Sequence, residues 1–189
     1  MRQTGLSLRE LLNFQSMNTD HRALRKFFRQ GGTFQDLYGV TDNAMEVKYE
    51  YAFNLLKQKD YEQALSIFHY LVSLNPYQKK YWMGLGSCQL NQGDHTNAVE
   101  SYTMSSLIDP NDPTPYLFAS YSYLALGQSQ EAIQSLHLAV EVAKKDHAYR
   151  ALEDQALELL NAVKAKAILR KEDRPATQGG SYGSASGVR

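Results

Sequence analysis

Several residue types and patterns are scarce in this chain of 189 residues, and each scarcity excludes a class of protein. The single cysteine, Cys88, cannot form an internal disulfide, which fits a reducing cytoplasm. The formal net charge is zero, so nothing global favours nucleic acid as a partner. No hydrophobic run approaches the roughly 18 residues of a membrane helix, and the N-terminus lacks the apolar core of a secretory signal. We therefore expect a cytoplasmic protein that neither binds nucleic acid nor inserts into a membrane.

Motifs for catalysis, metal binding and cofactor binding are also lacking. None of the five histidines stands at metal-ligand spacing from another histidine, a cysteine or an acidic cluster. Cys88 falls within a predicted helix without an identifiable activating base, so we interpret it as a small buried hydrophobic residue. Gly84 and Gly86 also fall within a helix and do not form a phosphate-binding loop. We therefore predict neither an enzyme nor a protein that carries a metal ion or a cofactor.

The chain does contain a repeat with a period of 34 residues. An aromatic residue, a Leu-Gly pair, a small alanine, a bulky residue and a closing proline at this period are the pattern of the tetratricopeptide repeat (TPR). One such helix pair cannot bury its apolar face alone, so the pairs must stack. We predict an all-α fold, a TPR-type α-solenoid of three helix pairs. The positions that align are Lys48, Trp82 and Tyr116; Ala64, Ala98 and Ala132; Phe68, Tyr102 and Leu136; and Pro76 and Pro110.

The same period divides the chain into segments. Ser7 and Glu10 form a capping box that predicts a short amphipathic helix at about Leu8–Met17, ahead of further N-terminal helices. After the repeats, an apolar stripe predicts the C-terminal capping helix that a solenoid requires, and a Gly/Ser-rich tail is predicted to be disordered. The predicted segments are an N-terminal extension at 1–44, TPR units at 45–78, 79–112 and 113–146, a capping helix at 147–170 and a tail at 171–189.

The first helix of each pair lines the concave side of a TPR superhelix, so the period also predicts which side chains face inward. These side chains are unusually apolar for a surface, and apolar patches mark interaction sites; the alternative is that some pack against the N-terminal helices or in a dimer interface. TPR grooves that clamp an acidic terminus need Lys and Asn where Tyr49 and Phe53 stand, so we expect an extended hydrophobic ligand instead. The predicted groove residues are Tyr49, Phe53, Leu56, Met83, Leu90, Leu117, Tyr121 and Leu124.

The segment before the first repeat is a more specific signal than the repeats themselves. It reads Gly-Gly-Thr-Phe-Gln-Asp-Leu-Tyr-Gly-Val over residues 31–40 and leads directly into the first pair. Together with the Trp-Met-Gly-Leu-Gly run at 82–86 and three repeats, it resembles the class II chaperones of bacterial type III secretion, the LcrH/SycD/SicA/IpgC group. The resemblance extends from about Leu24 to Ala167.

This resemblance implies a function and partners. Such chaperones hold hydrophobic secreted translocator proteins in the bacterial cytoplasm, soluble and apart, until export. The groove would bind an extended segment of the translocator. The resemblance also implies a homodimer formed through the N-terminal helices, which would use Leu24, Phe27 and Phe28. The alternative function is a general TPR scaffold for protein–protein interaction in another bacterial assembly.

Overall fold

The computed structural model describes residues 21–172, and the side chains of residues 22–167. This part of the chain is α-helical and contains no strand, which confirms the all-α TPR-type solenoid. The predicted helix at Leu8–Met17 and the tail after residue 172 lie outside the described residues. The helices are α1 (His21–Arg29), α2 (Phe34–Tyr38), α3 (Asp42–Lys57), α4 (Tyr61–Leu74), α5 (Lys79–Asn91), α6 (His95–Ile108), α7 (Thr114–Ala125), α8 (Ser129–Ala143) and α9 (Arg150–Glu172), with a 3-10 turn at His147–Tyr149.

Three successive helix pairs, α3/α4, α5/α6 and α7/α8, form the solenoid. Each helix from α3 to α8 packs against the next one along the chain, and the first helices α3 and α5 also contact each other. The second helices of the first two pairs begin at side-chain caps, because the carboxylates of Asp60 and Asp94 accept hydrogen bonds from the backbone N–H groups of Gln63 and Asn97; α8 begins without a side-chain cap. The local sequence therefore sets where the first two pairs turn.

The turn within each pair requires a residue in the left-handed backbone region. Gly93 and Gly127 occupy this position with φ of 80° and 74°. Lys59 stands one period before Gly93 and has φ of 65°, the one positive φ outside glycine among residues 21–172. The first pair therefore turns as the others do, with a residue that is strained there.

Large and small residues alternate where the helices meet. Phe68 and Tyr102 are fully buried and stand one period apart. A Cβ atom at Gly84 would lie 2.2 Å from the Phe68 ring, and one at Gly86 would lie 2.8 Å from the Tyr102 ring. Helix α5 therefore approaches α4 and α6 so closely that only glycine fits at these two points. The predicted roles of the bulky and small repeat positions follow from this packing.

Helix α9 acts as a fourth first-type helix. It packs against α8 and contacts α7, and Gln155 stands one period after Tyr121, to which it is hydrogen bonded. Glu153 and Asp154 stand one period after Ala119 and Ser120, which are buried, and Ala119 packs with Ala98 and Tyr102 of α6. Helix α9 runs to Glu172, two residues beyond its predicted end.

The other end of the solenoid has an open edge. Val47 and Tyr51 on α3 are 58% and 55% exposed, whereas Tyr81 and Leu85, one period later on α5, are buried against the preceding pair. Before α3, rings of Phe28 and Phe34 lie 5.0 Å apart and tie α1 to α2. Helices α1 and α2 thus precede the first pair without covering Val47 and Tyr51. No helix within residues 21–172 has both the length and the apolar character of a membrane span.

Candidate functional site

The concave surface is built from equivalent positions of the four first-type helices. One row runs across α3, α5, α7 and α9, and its members are spaced by the repeat period. Side chains on a helix recur on one face every three or four residues, so the neighbouring predicted groove residues flank this row. The row consists of Phe53, Ser87, Tyr121 and Gln155.

The part of the surface on α3 is aromatic. The rings of Tyr49 and Phe53 are stacked with centroids 5.9 Å apart, and Phe53 is 38% exposed. The ammonium groups of Lys57 and Lys80 each lie 4.4 Å from one of these ring centroids, Lys57 over Phe53 and Lys80 over Tyr49. Burial, and to a smaller extent the charge of Glu46, raises the pKa of the Tyr49 hydroxyl, so this group stays neutral. Leu56, also predicted here, is half-buried against the core.

The middle of the surface, on α5, is apolar with one small polar side chain. Met83 and Leu90 are partly buried and pack against the core formed by Ala98, Tyr102 and Ala119. The Ser87 hydroxyl donates to the backbone carbonyl of Met83 at 2.8 Å and accepts from the Tyr102 hydroxyl at 3.4 Å. Burial raises the pKa of Tyr102 to about 12, so its hydroxyl remains a donor. The hydroxyl of Ser87 is therefore engaged within the protein.

On α7, one of the three predicted groove residues proves to be buried. Tyr121 and Leu124 are only partly buried, so a ligand could contact them. Leu117, in contrast, is buried, with 2% of its surface exposed. Leu117 belongs to a core cluster with Leu136 of α8 and Leu160 of α9, because α9 packs over this position. The prediction that Leu117 faces the groove is therefore wrong. The other seven predicted residues are all at least partly exposed.

Groups that could react or ligate are not gathered in the described part of the chain. Cys88 is buried, and burial raises the pKa of its thiol to about 12, so it is a thiol and not a nucleophilic thiolate at neutral pH. Within residues 21–172 no cluster of histidine, cysteine or acidic side chains could hold a metal ion. What the concave surface can do chemically is to bury apolar side chains and to hydrogen bond.

The convex side carries clefts that the sequence reasoning missed. A cleft of about 610 Å³ between α4, α5 and α6 is lined by residues that include Trp82 and Met104. A second cleft, of about 240 Å³, lies one unit later and includes Tyr116 and Leu138, each one period after its counterpart. The shared period could have predicted the pair of clefts. They are crevices between successive second-type helices that the stacking itself produces.

The fold and the concave surface together define a TPR-type binding protein, and comparisons with known proteins narrow this class. Residues 57–138 match the family model described as anaphase-promoting complex, cyclosome, subunit 3, a TPR-like family. Low calcium response locus protein H of Yersinia pestis is 29% identical over 150 residues, which cover 79% of this chain and 89% of the relative.

The chain is also similar to solved structures of type III secretion chaperones. PcrH, known from Pseudomonas aeruginosa and solved in complex with the chaperone-binding region of PopD, is 30% identical, with a TM-score of 0.67 over 68% of this chain and 97% of PcrH. The type III secretion translocator chaperone SycD of Yersinia enterocolitica is 28% identical, with a TM-score of 0.66 over 69% and 98%. SycD has also been solved with a peptide of the translocator YopD and as an alternative dimer. This chain belongs to the family of type III secretion translocator chaperones.

Proposed function

We propose that this protein is a cytoplasmic bacterial chaperone that binds an extended hydrophobic segment of a type III secretion translocator in its concave groove. Binding keeps the translocators soluble and apart before export. The protein acts by binding and not by catalysis. Complexes of PcrH with segments of PopD and PopB, and of SycD with a YopD peptide, support a translocator as the partner.

One observation carries the location of the binding site. The stacked rings of Tyr49 and Phe53 lie on the concave face, and Phe53 remains 38% exposed although it is aromatic. Each apolar ligand side chain that becomes fully buried there contributes about 1.5–3 kcal/mol before the costs of association. Two or three such anchors give moderate affinity, which suits a ligand that must be released for export.

Introducing a negative charge at the groove anchors tests the site. The protein is co-expressed with candidate translocators, and the complexes are recovered by affinity purification. Phe53→Glu and Tyr121→Glu should each lower the amount of co-purified translocator by roughly 100-fold, because each replaces an aromatic anchor with a carboxylate that would lose water in the complex. Leu107→Glu is the matched control, since Leu107 is 68% exposed on α6 away from the concave row.

The helical circular dichroism of the free variants verifies that they remain folded. Normal binding by both groove variants would place the site elsewhere. A chain that captures other assembly proteins but no translocator would be a general TPR scaffold instead.

We further propose that the protein forms a homodimer through α1, as the dimers of SycD support. Leu24, Phe27 and Phe28 are all partly exposed on this helix. The Phe27 ring also packs against Gly32, and the Phe28 ring against Phe34, so Leu24 is the residue to change with least effect on the protomer. Leu24→Asp should give a monomer in analytical ultracentrifugation, and a dimer of unchanged stability would exclude this interface.

A further inference from the structure

The concave row ends in a hydrogen-bonded pair that joins two helices. The side-chain amide of Gln155 on α9 donates to the hydroxyl oxygen of Tyr121 on α7, with 2.8 Å between Nε2 and Oη. Tyr121 is partly buried and its ring lies 6.0 Å from that of Phe118, whereas Gln155 is exposed. The ring of Tyr121 is therefore fixed by packing, and its hydroxyl is fixed by the neighbouring helix.

This pair retains unused hydrogen-bonding groups. When the Tyr121 oxygen accepts from Gln155, its own O–H is left to donate, and the Gln155 carbonyl oxygen is left to accept. Rotation of the amide by half a turn exchanges the two roles and still leaves at least one donor and one acceptor. Tyr121 and Gln155 therefore present a donor and an acceptor side by side at the α9 end of the concave row.

A donor beside an acceptor matches the backbone of an extended peptide. Each peptide unit of the ligand carries one C=O and one N–H that lose water when its side chains enter an apolar groove. The side chains of Phe53, Met83 and Leu90 cannot replace that water, and the Ser87 hydroxyl is already engaged with Met83 and Tyr102. Hydrogen bonds from the Tyr121–Gln155 pair would satisfy ligand backbone that these side chains leave unsatisfied.

We propose that Tyr121 and Gln155 bind the backbone of the ligand, Tyr121 O–H donating to a backbone C=O and Gln155 Oε1 accepting from a backbone N–H. The proposal rests on the proposed function; it adds Gln155 as a specificity-determining residue and gives the hydroxyl of Tyr121 a specific role. The apolar end of the groove on α3 then selects side chains, and the polar end on α9 selects an extended backbone. The pair thereby fixes the register of the ligand without requiring a particular side chain at that point.

Binding of labelled peptides tests this assignment. The probes are the chaperone-binding regions of PopD and PopB and the YopD peptide, and fluorescence anisotropy measures the Kd of whichever binds the unmodified protein most tightly. Tyr121→Phe and Gln155→Leu should each weaken binding about 3- to 10-fold, the range for one net hydrogen bond. Tyr123→Phe on α7 and Gln134→Leu on α8 are matched controls, because both residues line the convex cleft and should leave Kd unchanged.

A second set of probes separates ligand contact from a merely structural role. In each of these peptides one backbone N–H is replaced by the oxygen of an ester. At one position the ester should weaken binding to the unmodified protein about 3- to 10-fold and binding to Gln155→Leu less than about twofold. An ester that weakens both proteins equally at every position would overturn the assignment.

The failure of this inference can be told apart from the failure of the proposed function. Normal Kd values for Tyr121→Phe and Gln155→Leu, combined with lost binding for Phe53→Glu, would leave the groove in place and refute the backbone role of the pair. Absence of binding by all three peptides to the unmodified protein would overturn both.

Discussion

The ammonium group of Lys80 lies 4.4 Å above the centre of the Tyr49 ring. The same ammonium forms an ion pair with Glu46, which stands one repeat period earlier. A cation over an exposed aromatic face contributes about 0.5–1 kcal/mol. Lys80 thus joins the first two pairs across the concave side and holds the Tyr49 ring in its stacked position against Phe53.

Removal of this ion pair should cost little and should depend on salt. Both partners are more than one-third exposed, so a double-mutant cycle of Glu46→Gln and Lys80→Gln should give a coupling of about 0.2–1 kcal/mol. The Debye screening length is about 3 Å in 1 M salt, so the coupling between these exposed charges should fall towards zero at that salt concentration. Urea unfolding at low and high NaCl measures it, and a coupling that resists salt would mean that the pair is desolvated in solution.

Gly84→Ala should destabilise the protein by about 1–3 kcal/mol, although alanine favours helix more than glycine does. The added Cβ would lie 2.2 Å from the buried Phe68 ring, which has nowhere to move. Gly86→Ala should cost less, because its nearest contact with the Tyr102 ring is at 2.8 Å. Denaturant unfolding measures both, and Phe68→Leu added to Gly84→Ala should restore part of the loss. Equal losses at the two glycines would contradict the packing described.

Lys59→Gly should stabilise the protein by about 0.5–1 kcal/mol, because glycine adopts a positive φ without steric cost. Lys59 has φ of 65° at the turn that glycine makes in the other two pairs. The reverse change at the equivalent turn, Gly93→Lys, should destabilise by a similar amount. Thermal unfolding of both variants checks the two predictions. They stand only if Lys59→Gly raises the Tm and Gly93→Lys lowers it.

Asp112 should stabilise the fold at neutral pH and not in acid. Burial alone would raise the pKa of its carboxyl, but hydrogen bonds from Thr114 and from Lys79, 2.9 Å away, outweigh burial and lower the pKa below 3.8. Because the folded-state pKa is the lower one, the stabilisation is present above the unfolded-state pKa and is lost as pH falls through the folded-state pKa.

Asp112→Asn should therefore lower the free energy of unfolding by about 1–2 kcal/mol at neutral pH, through loss of the charged hydrogen bonds. The difference between the two proteins should shrink as pH falls through the folded-state pKa of Asp112, which lies below its ordinary value. Urea titrations from neutral to acidic pH measure the difference. A constant difference across this range would show that the carboxylate charge contributes nothing.

Repeat periodicity was sufficient to predict the three pairs, the buried bulky positions such as Phe68 and Tyr102, and the glycine turns. It could not predict the burial of Leu117, because that depends on how α9 packs across α7 and α8. The alignment of Gln155 with Tyr121 was hidden as well, since Glu153 and Asp154 replace the apolar and small residues that mark a repeat. The positive φ of Lys59 left no local signal, because lysine has no preference for that conformation.

The fourth first-type helix sets the length of ligand that the concave side can accommodate. Four helices in a row leave three steps between neighbouring axes, and helices pack about 9 Å apart, so the row spans roughly 27 Å. An extended peptide advances about 3.3 Å per residue, so the row from Phe53 to Gln155 matches roughly eight residues. A chain shortened before α9 would offer only two of these steps, which is the length of roughly five residues.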